Sequence, residues 1–373
     1  MLRGPIRVLV AGLLSFFVVV AVAGCGSSSN SSSSGGGSGG PNAPTPGSYL
    51  WQSGITGQNL SIAAIGGDGS VGAPVPTNVP ASHGFPGFVL SPSKRHLFTL
   101  DSVSDRLRVL VLTGPGVAAD DIQGSPFSVQ VGALPEELTI DPAGRFLYVV
   151  ENSTATAVEQ FSVDNNSGSL THASLFTEGF DLRSPVVHPS GKFLFVVDAG
   201  PQKIFVSAIG SNGLASPGTP FLVDGIPLRS VLDSSGRFLF ASLSAGGIAA
   251  FAVDASTGAL NKVPGSPFPT ANFPANAIVT PAGFLYLSDA VGVEGFKVDG
   301  TTGVLTPVPG SPFTFAVGAF IAADPTGQFL YLASGGGIYG YRIDASTGSL
   351  TALAGSPFPG VPYVTFVKST SFP

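Results

Sequence analysis

The chain of 373 residues carries 16 Lys and Arg against 22 Asp and Glu, and charged residues make up only 10% of it. So small a stock of base excludes a phosphate-neutralising surface, and with it nucleic acid as a partner. The single cysteine, Cys25, excludes an internal disulfide and a cysteine-built zinc or iron site.

At the N-terminus, Arg3 and Arg7 precede the apolar run Val8 to Val22. This is the charge-then-apolar order of an export signal, and it is too short for a membrane span of about 20 residues. The run closes with Val22-Ala23-Gly24-Cys25, which is similar to a bacterial lipobox. Residues 1–24 are therefore expected to be a lipoprotein signal peptide, with Cys25 as the lipidation site. The alternative is a plain secretory signal with an incidental cysteine. Residues 26–47 are rich in Ser, Gly and Pro and poor in apolar side chains. Such a stretch reads as a flexible tether, so residues 25–47 join a lipid to a domain over 48–373. The expected location is the cell envelope, on the periplasmic face or the outer membrane.

From residue 48 onward the sequence repeats. Asp141-Pro142-Ala143-Gly144-Arg145-Phe146-Leu147-Tyr148 returns from His188, Asp233, Thr280 and Asp324, with its glycine at 144, 191, 236, 283 and 327. A degraded copy starts at Ser91. Behind each full copy except that from His188 comes an Asp-to-Gly loop, as in Asp254 to Gly258 and Asp344 to Gly348, and a third marker, Gly-Ser-Pro-Phe, recurs with its ends at Phe127, Phe268, Phe313 and Phe358. A period in this range marks a propeller or a solenoid.

Each period reads as four short antiparallel strands, A to D. Phe320 to Ala323 make strand A, a Pro-preset turn follows, Phe329 to Ala333 make strand B, and Gly337 to Ile343 make strand C. Strand D is expected to contain Ser-Pro-Phe at the outer rim, where proline's missing donor is tolerated. Six such turns give six blades. Val361 to Val367 read as a further strand A, and residues 49–51 and 59–71 as the later strands of a blade. The prediction is an all-β, seven-bladed β-propeller of four antiparallel strands per blade, closed by N- and C-terminal strands that share one blade. A monomer is expected.

The repeated Pro-x-Gly-Lys/Arg-Phe-Leu-Tyr-Val-Val, followed by Asp-Ala-Ser-Thr-Gly-x-Leu, resembles the lactonase-type propellers, which include 6-phosphogluconolactonase. Phe146 to Asn152 is also similar to the YVTN repeats of envelope proteins. The resemblance implies a catalytic set of a channel His, an Arg-His pair and a carboxylate. Here Arg183 matches the Arg, Ser184 stands at the His position, and Ala199 stands at the carboxylate position with Asp198 adjacent.

By repeat position, Glu136, Glu137, Arg183, Arg229, Asn276 and Tyr363 surround the channel mouth, with Asp101, Glu151, Asp198 and Asp289 in the neighbouring B–C turns. Arg183 and Arg229 are candidates to clamp a carboxylate or phosphate, or else to neutralise Glu136 and Glu137. Arg183, Glu137 and Asp198 are the candidate catalytic residues. No cofactor or metal motif is present, and none is expected. Because the family's His positions are unmatched, the expected function is an envelope-anchored binding module whose channel face takes a small anionic ligand, a glycan or a protein. The alternative is a lactone hydrolase, 6-phosphogluconolactonase-like, with rearranged catalytic residues.

Overall fold

The computed structural model describes residues 47–54, 60–77, 87–101, 106–114, 117–129, 135–152, 156–177, 179–214, 218–289, 291–314, 320–334, 337–360 and 364–372, of which 53–54, 101, 117–120, 135–136, 214 and 364–372 are described for their backbone alone. The expected signal peptide, Cys25, most of the tether and Tyr363 lie outside the described residues.

Every regular element among the described residues is a strand, and the strands form seven antiparallel sheets. Six sheets run in sequence order, and their innermost strands are Phe88–Leu90, Pro135–Ile140, Leu182–Val187, Pro227–Leu232, Asn276–Val279 and Phe320–Ala323. These are strands A of blades 1 to 6. The seventh sheet has the order expected from the split repeat. Val364–Phe372 is its strand A and pairs antiparallel with Gly47–Gly54, which is followed by Ser61–Ile65 and Val75–Pro76. Closure therefore joins the two ends of the domain. The chain is a seven-bladed β-propeller.

Strand B supplies the core because both of its faces are covered. Phe193–Asp198 is buried at all six positions. Side chains alternate across a strand, so Phe193, Phe195 and Val197 pack toward Leu239 and Ala241 of blade 4, while Leu194 and Val196 pack with Tyr148 and Val150 of blade 2. The same arithmetic explains the periodic Phe at the head of strand B. Phe284 lies under Gly348 of the next blade, which has φ +77 and whose missing Cβ would stand 2.5 Å from the ring. Tyr286 donates from Oη to the Gly348 carbonyl at 2.6 Å, and Tyr331 does the same to Gly69 at 2.9 Å. The N-terminal segment thus receives the contact that a seventh repeat should.

The turns follow the sequence reading. Asp254 and Asp344 each accept the N–H groups of the residues two and three further on, at 2.8–3.0 Å. Strand D departs from it. In blades 4, 5 and 6 strand D is a three-residue piece, such as Leu350–Ala352, and after a turn only Phe268, Phe313 or Phe358 bridges back to strand C. The serine before proline repairs the gap in the ladder: the Oγ of Ser125, Ser266, Ser311 and Ser356 accepts the strand C N–H of Val109, Ala250, Gly295 and Gly340, at 2.9–3.1 Å. His172 lies within strand D of blade 2, Leu170–Phe176. His188 is buried, with Nε2 3.0 Å from the Gly236 carbonyl oxygen of blade 4.

Candidate functional site

The inner strands place one residue per blade on a common tier. Glu137, Arg183, Arg229, Asn276 and Phe320 lie opposite Val150, Val197, Ser242, Ser288 and Ala333, each the fifth residue of its strand B. The tier stands at the end of the ring where strand D of one blade hands over to strand A of the next. Repeat position puts the expected channel mouth at this end of the strands. Glu136 shares the strand of Glu137, and its side chain is not described.

Glu137 links three blades. One carboxylate oxygen accepts from Arg229 Nη1, two blades onward, and the other accepts the Ser184 N–H at 3.2 Å. Ser184 sits between them in blade 3 with φ +51, at a bulge between Arg183 and Val186 in the ladder to strand B. A side-chain-bearing residue held in the left-handed region costs on the order of 1–3 kcal/mol and persists only where its surroundings enforce it. Here its Oγ donates to the Ser230 carbonyl at 3.0 Å and accepts the Ser230 N–H at 2.9 Å, which fixes it against blade 4.

Arg183 is held differently. Its Nε and Nη2 donate to the two Asp181 oxygens at 2.8 and 2.9 Å, a bidentate pair between the inner strand and the connector that leads into it. Asp198 is fully buried and accepts the N–H groups of Phe180, Asp181 and Gly200 at 3.0–3.3 Å. It therefore shapes the connector that carries Asp181 and does not face the tier. Asn152 clamps the same inner strand from blade 2, donating to the Leu182 carbonyl at 2.6 Å and accepting its N–H at 3.0 Å. Asn276 caps its own strand, accepting the Ala277 N–H at 2.9 Å.

Residues 88–272 match the family model described as Lactonase, 7-bladed beta-propeller. A 6-phosphogluconolactonase of Pectobacterium carotovorum is 26% identical over 223 residues, which is 57% of this chain and 66% of that protein, just under two thirds of its length. The chain is a lactonase-type seven-bladed β-propeller. The periplasmic gluconolactonase of Pseudomonas aeruginosa has the same fold at 20% identity, with a TM-score of 0.69 over 87% of this chain and all of that one. A candidate 6-phosphogluconolactonase from Bacteroides fragilis is similar at 19% identity and a TM-score of 0.72, over 89% of this chain and all of that one.

In this lactonase-type propeller the three described histidines stand away from the tier. His96 heads strand B of blade 1 at the opposite end, His188 lies in a turn at that end, and His172 faces Glu159 on the outer strands at 3.2 Å. Among the described residues no group of three or more His, Cys, Asp and Glu is placed to hold a metal. Of the B–C turn acids, Asp289 accepts the Val291 and Gly292 N–H groups, Glu151 is the last but one residue of strand B of blade 2 and is buried, and Asp101 ends that of blade 1. Sequence reasoning missed Asp181, Ser184 as a contact, Ser230 and Asn152. No local signal pointed to them: the residue before proline favours extended backbone with negative φ, whereas Ser184 has φ +51.

Proposed function

We propose that this propeller hydrolyses a lactone at the mouth, with Glu137 as general base and Arg229 as the donor to the oxyanion. The observation that carries the reading is the Glu137–Arg229 pair, which reaches from blade 2 to blade 4 past Ser184 on the inner tier. The matches to lactonases and to a 6-phosphogluconolactonase support the reaction class. In the proposed step Glu137 takes a proton from water as the oxygen attacks the lactone carbonyl carbon. The guanidinium of Arg229 donates to the oxyanion that forms. Collapse breaks the ring C–O bond, and the proton passes from Glu137 to the ring oxygen, so one water is consumed and a hydroxy acid leaves. A positioned base contributes about 10²–10⁴ in rate, and one oxyanion donor about 10²–10³.

The test is ring opening of a panel of lactones by the mature domain, with the uncatalysed rate subtracted. Glu137→Gln and Arg229→Ala are each expected to lower kcat at least about a hundredfold with circular dichroism unchanged. Folded variants that keep the wild-type rate would overturn the assignment of these residues. A wild-type protein without turnover would leave the second reading, a binding-only propeller for a small anionic ligand, a glycan or an envelope protein. That reading is favoured by Ser184 standing where the family has a histidine.

Attachment to the envelope through a lipid on Cys25 is a separate proposal, supported by Val22-Ala23-Gly24-Cys25 and the Ser/Gly-rich stretch behind it. Metabolic labelling with a palmitate analogue should mark the protein and fail to mark Cys25→Ala. Equal labelling of both would refute it.

A further inference from the structure

We propose that the mouth is built for an uncharged sugar lactone and disfavours its phosphate ester, and that Asp181 sets this preference. The inference rests on the lactone-hydrolase reading above. Its basis is how the two mouth guanidiniums are already engaged.

Arg183 and Arg229 occupy equivalent positions in neighbouring blades and would make a two-armed clamp for a phosphate if both presented their donor edges to it. Arg183 instead gives its Nε/Nη2 edge to Asp181, and Arg229 gives Nη1 to Glu137. Asp181 is not a loose side chain on a mobile connector, because its own N–H is held by the buried carboxylate of Asp198 at 3.0 Å. At the mouth the two guanidiniums are matched by the carboxylates of Glu137 and Asp181. A phosphate dianion arriving here meets positive charge that is already neutralised, is repelled by both carboxylates and must displace a bidentate partner. Lys203 lies opposite Asp198, but on strand C, two ladder spacings or about 10 Å outward from the inner strand.

The same arrangement suits a neutral polyol ring. Paired carboxylates and guanidiniums offer acceptors and donors side by side, which matches hydroxyl groups that do both. The connectors over this stretch of the ring expose apolar surface: Phe180 directly before Asp181, Ile226 before the strand of Arg229, and Phe273 before that of Asn276. Phe180 is 78% exposed and its ring lies against Gly200, where a Cβ would stand 2.6 Å from it. Apolar walls with a few placed polar groups are the usual make-up of a small-molecule site.

The experiment compares kcat/KM for glucono-δ-lactone and its 6-phosphate in the wild type, Asp181→Asn, and Asp181→Asn combined with Arg183→Ala. The wild type is expected to favour the unphosphorylated lactone at least about tenfold. Asp181→Asn should narrow the ratio about tenfold by releasing a guanidinium edge, and the added Arg183→Ala should remove that gain. A wild-type ratio of one, or one favouring the phosphate, overturns the inference and leaves the hydrolase reading standing. An unchanged ratio in a folded Asp181→Asn overturns the role of Asp181. No turnover of either lactone removes the hydrolase reading and this inference with it. Should Asp181→Asn not fold, the wild-type ratio decides alone. It should narrow between about 20 mM and 500 mM salt if charge repulsion is its cause, and a salt-independent ratio overturns the proposal.

Discussion

Removing residues 361–373 deletes strand A of blade 7 and opens the ring. The deleted strand pairs with Gly47–Gly54 through eight registered residue pairs. At roughly one ladder hydrogen bond per pair and about 0.5–1.5 kcal/mol net each, the pairing is worth about 4–12 kcal/mol. That is comparable to the whole stability of an ordinary protein, about 5–15 kcal/mol. The deletion also bares the inner edge of a strand that carries Leu50, Trp51 and Gln52, all fully buried in the intact ring. Trp51 is the only tryptophan and packs 5.4 Å from Phe88 of blade 1, so its fluorescence reports this joint. The truncated domain is expected to lack a cooperative thermal transition and to emit as a water-exposed indole. A sharp transition near the wild-type temperature, with emission unshifted, would refute closure as the main source of stability.

Two further outcomes follow from particular contacts. Ser266→Ala leaves the buried N–H of Ala250 without its acceptor and should cost about 1–3 kcal/mol in chemical denaturation; an unchanged midpoint would show that Ser-Pro-Phe does not repair the ladder. Burial, helped by the neighbouring Asp289, raises the Glu294 carboxyl above its ordinary value of 4.5. The folded state therefore holds this proton more tightly than the unfolded chain, and its contribution fades as pH rises from about 4.5 through the raised value. Glu294→Gln imitates the protonated form while keeping an acceptor for the Ala271 and Asn272 N–H groups. Its melting temperature should equal the wild type's near pH 4 and exceed it progressively toward neutrality, and a gap independent of pH would contradict this.

Most of the fold was legible because its causes are local and repeated. Asp-Pro-x-Gly turns, an apolar strand B and the Asp-to-Gly loop each announce themselves within ten residues, and their period gave the blades. Even the split blade could be read, since Val361 to Val367 and residues 49–51 and 59–71 are the missing parts of one repeat. The mouth was legible only as a tier: Glu137, Arg183, Arg229 and Asn276 were placed there by repeat position, and the ladder register puts them on one level.

The partners within that tier were not in the repeat. Sequence left Arg183 and Arg229 open between a ligand and the two glutamates, whereas Arg183 turns to Asp181 two residues away and Arg229 to Glu137 ninety-two residues away. Nor did any pattern reveal that Ser184 would adopt φ +51 or bond Ser230 forty-six residues on. The period belongs to the backbone that every blade shares, so it is written in each copy and survives translation along the chain. Which charge meets which is settled where blades differ, by side chains that meet only once the ring has closed, and that decision belongs to the tertiary structure.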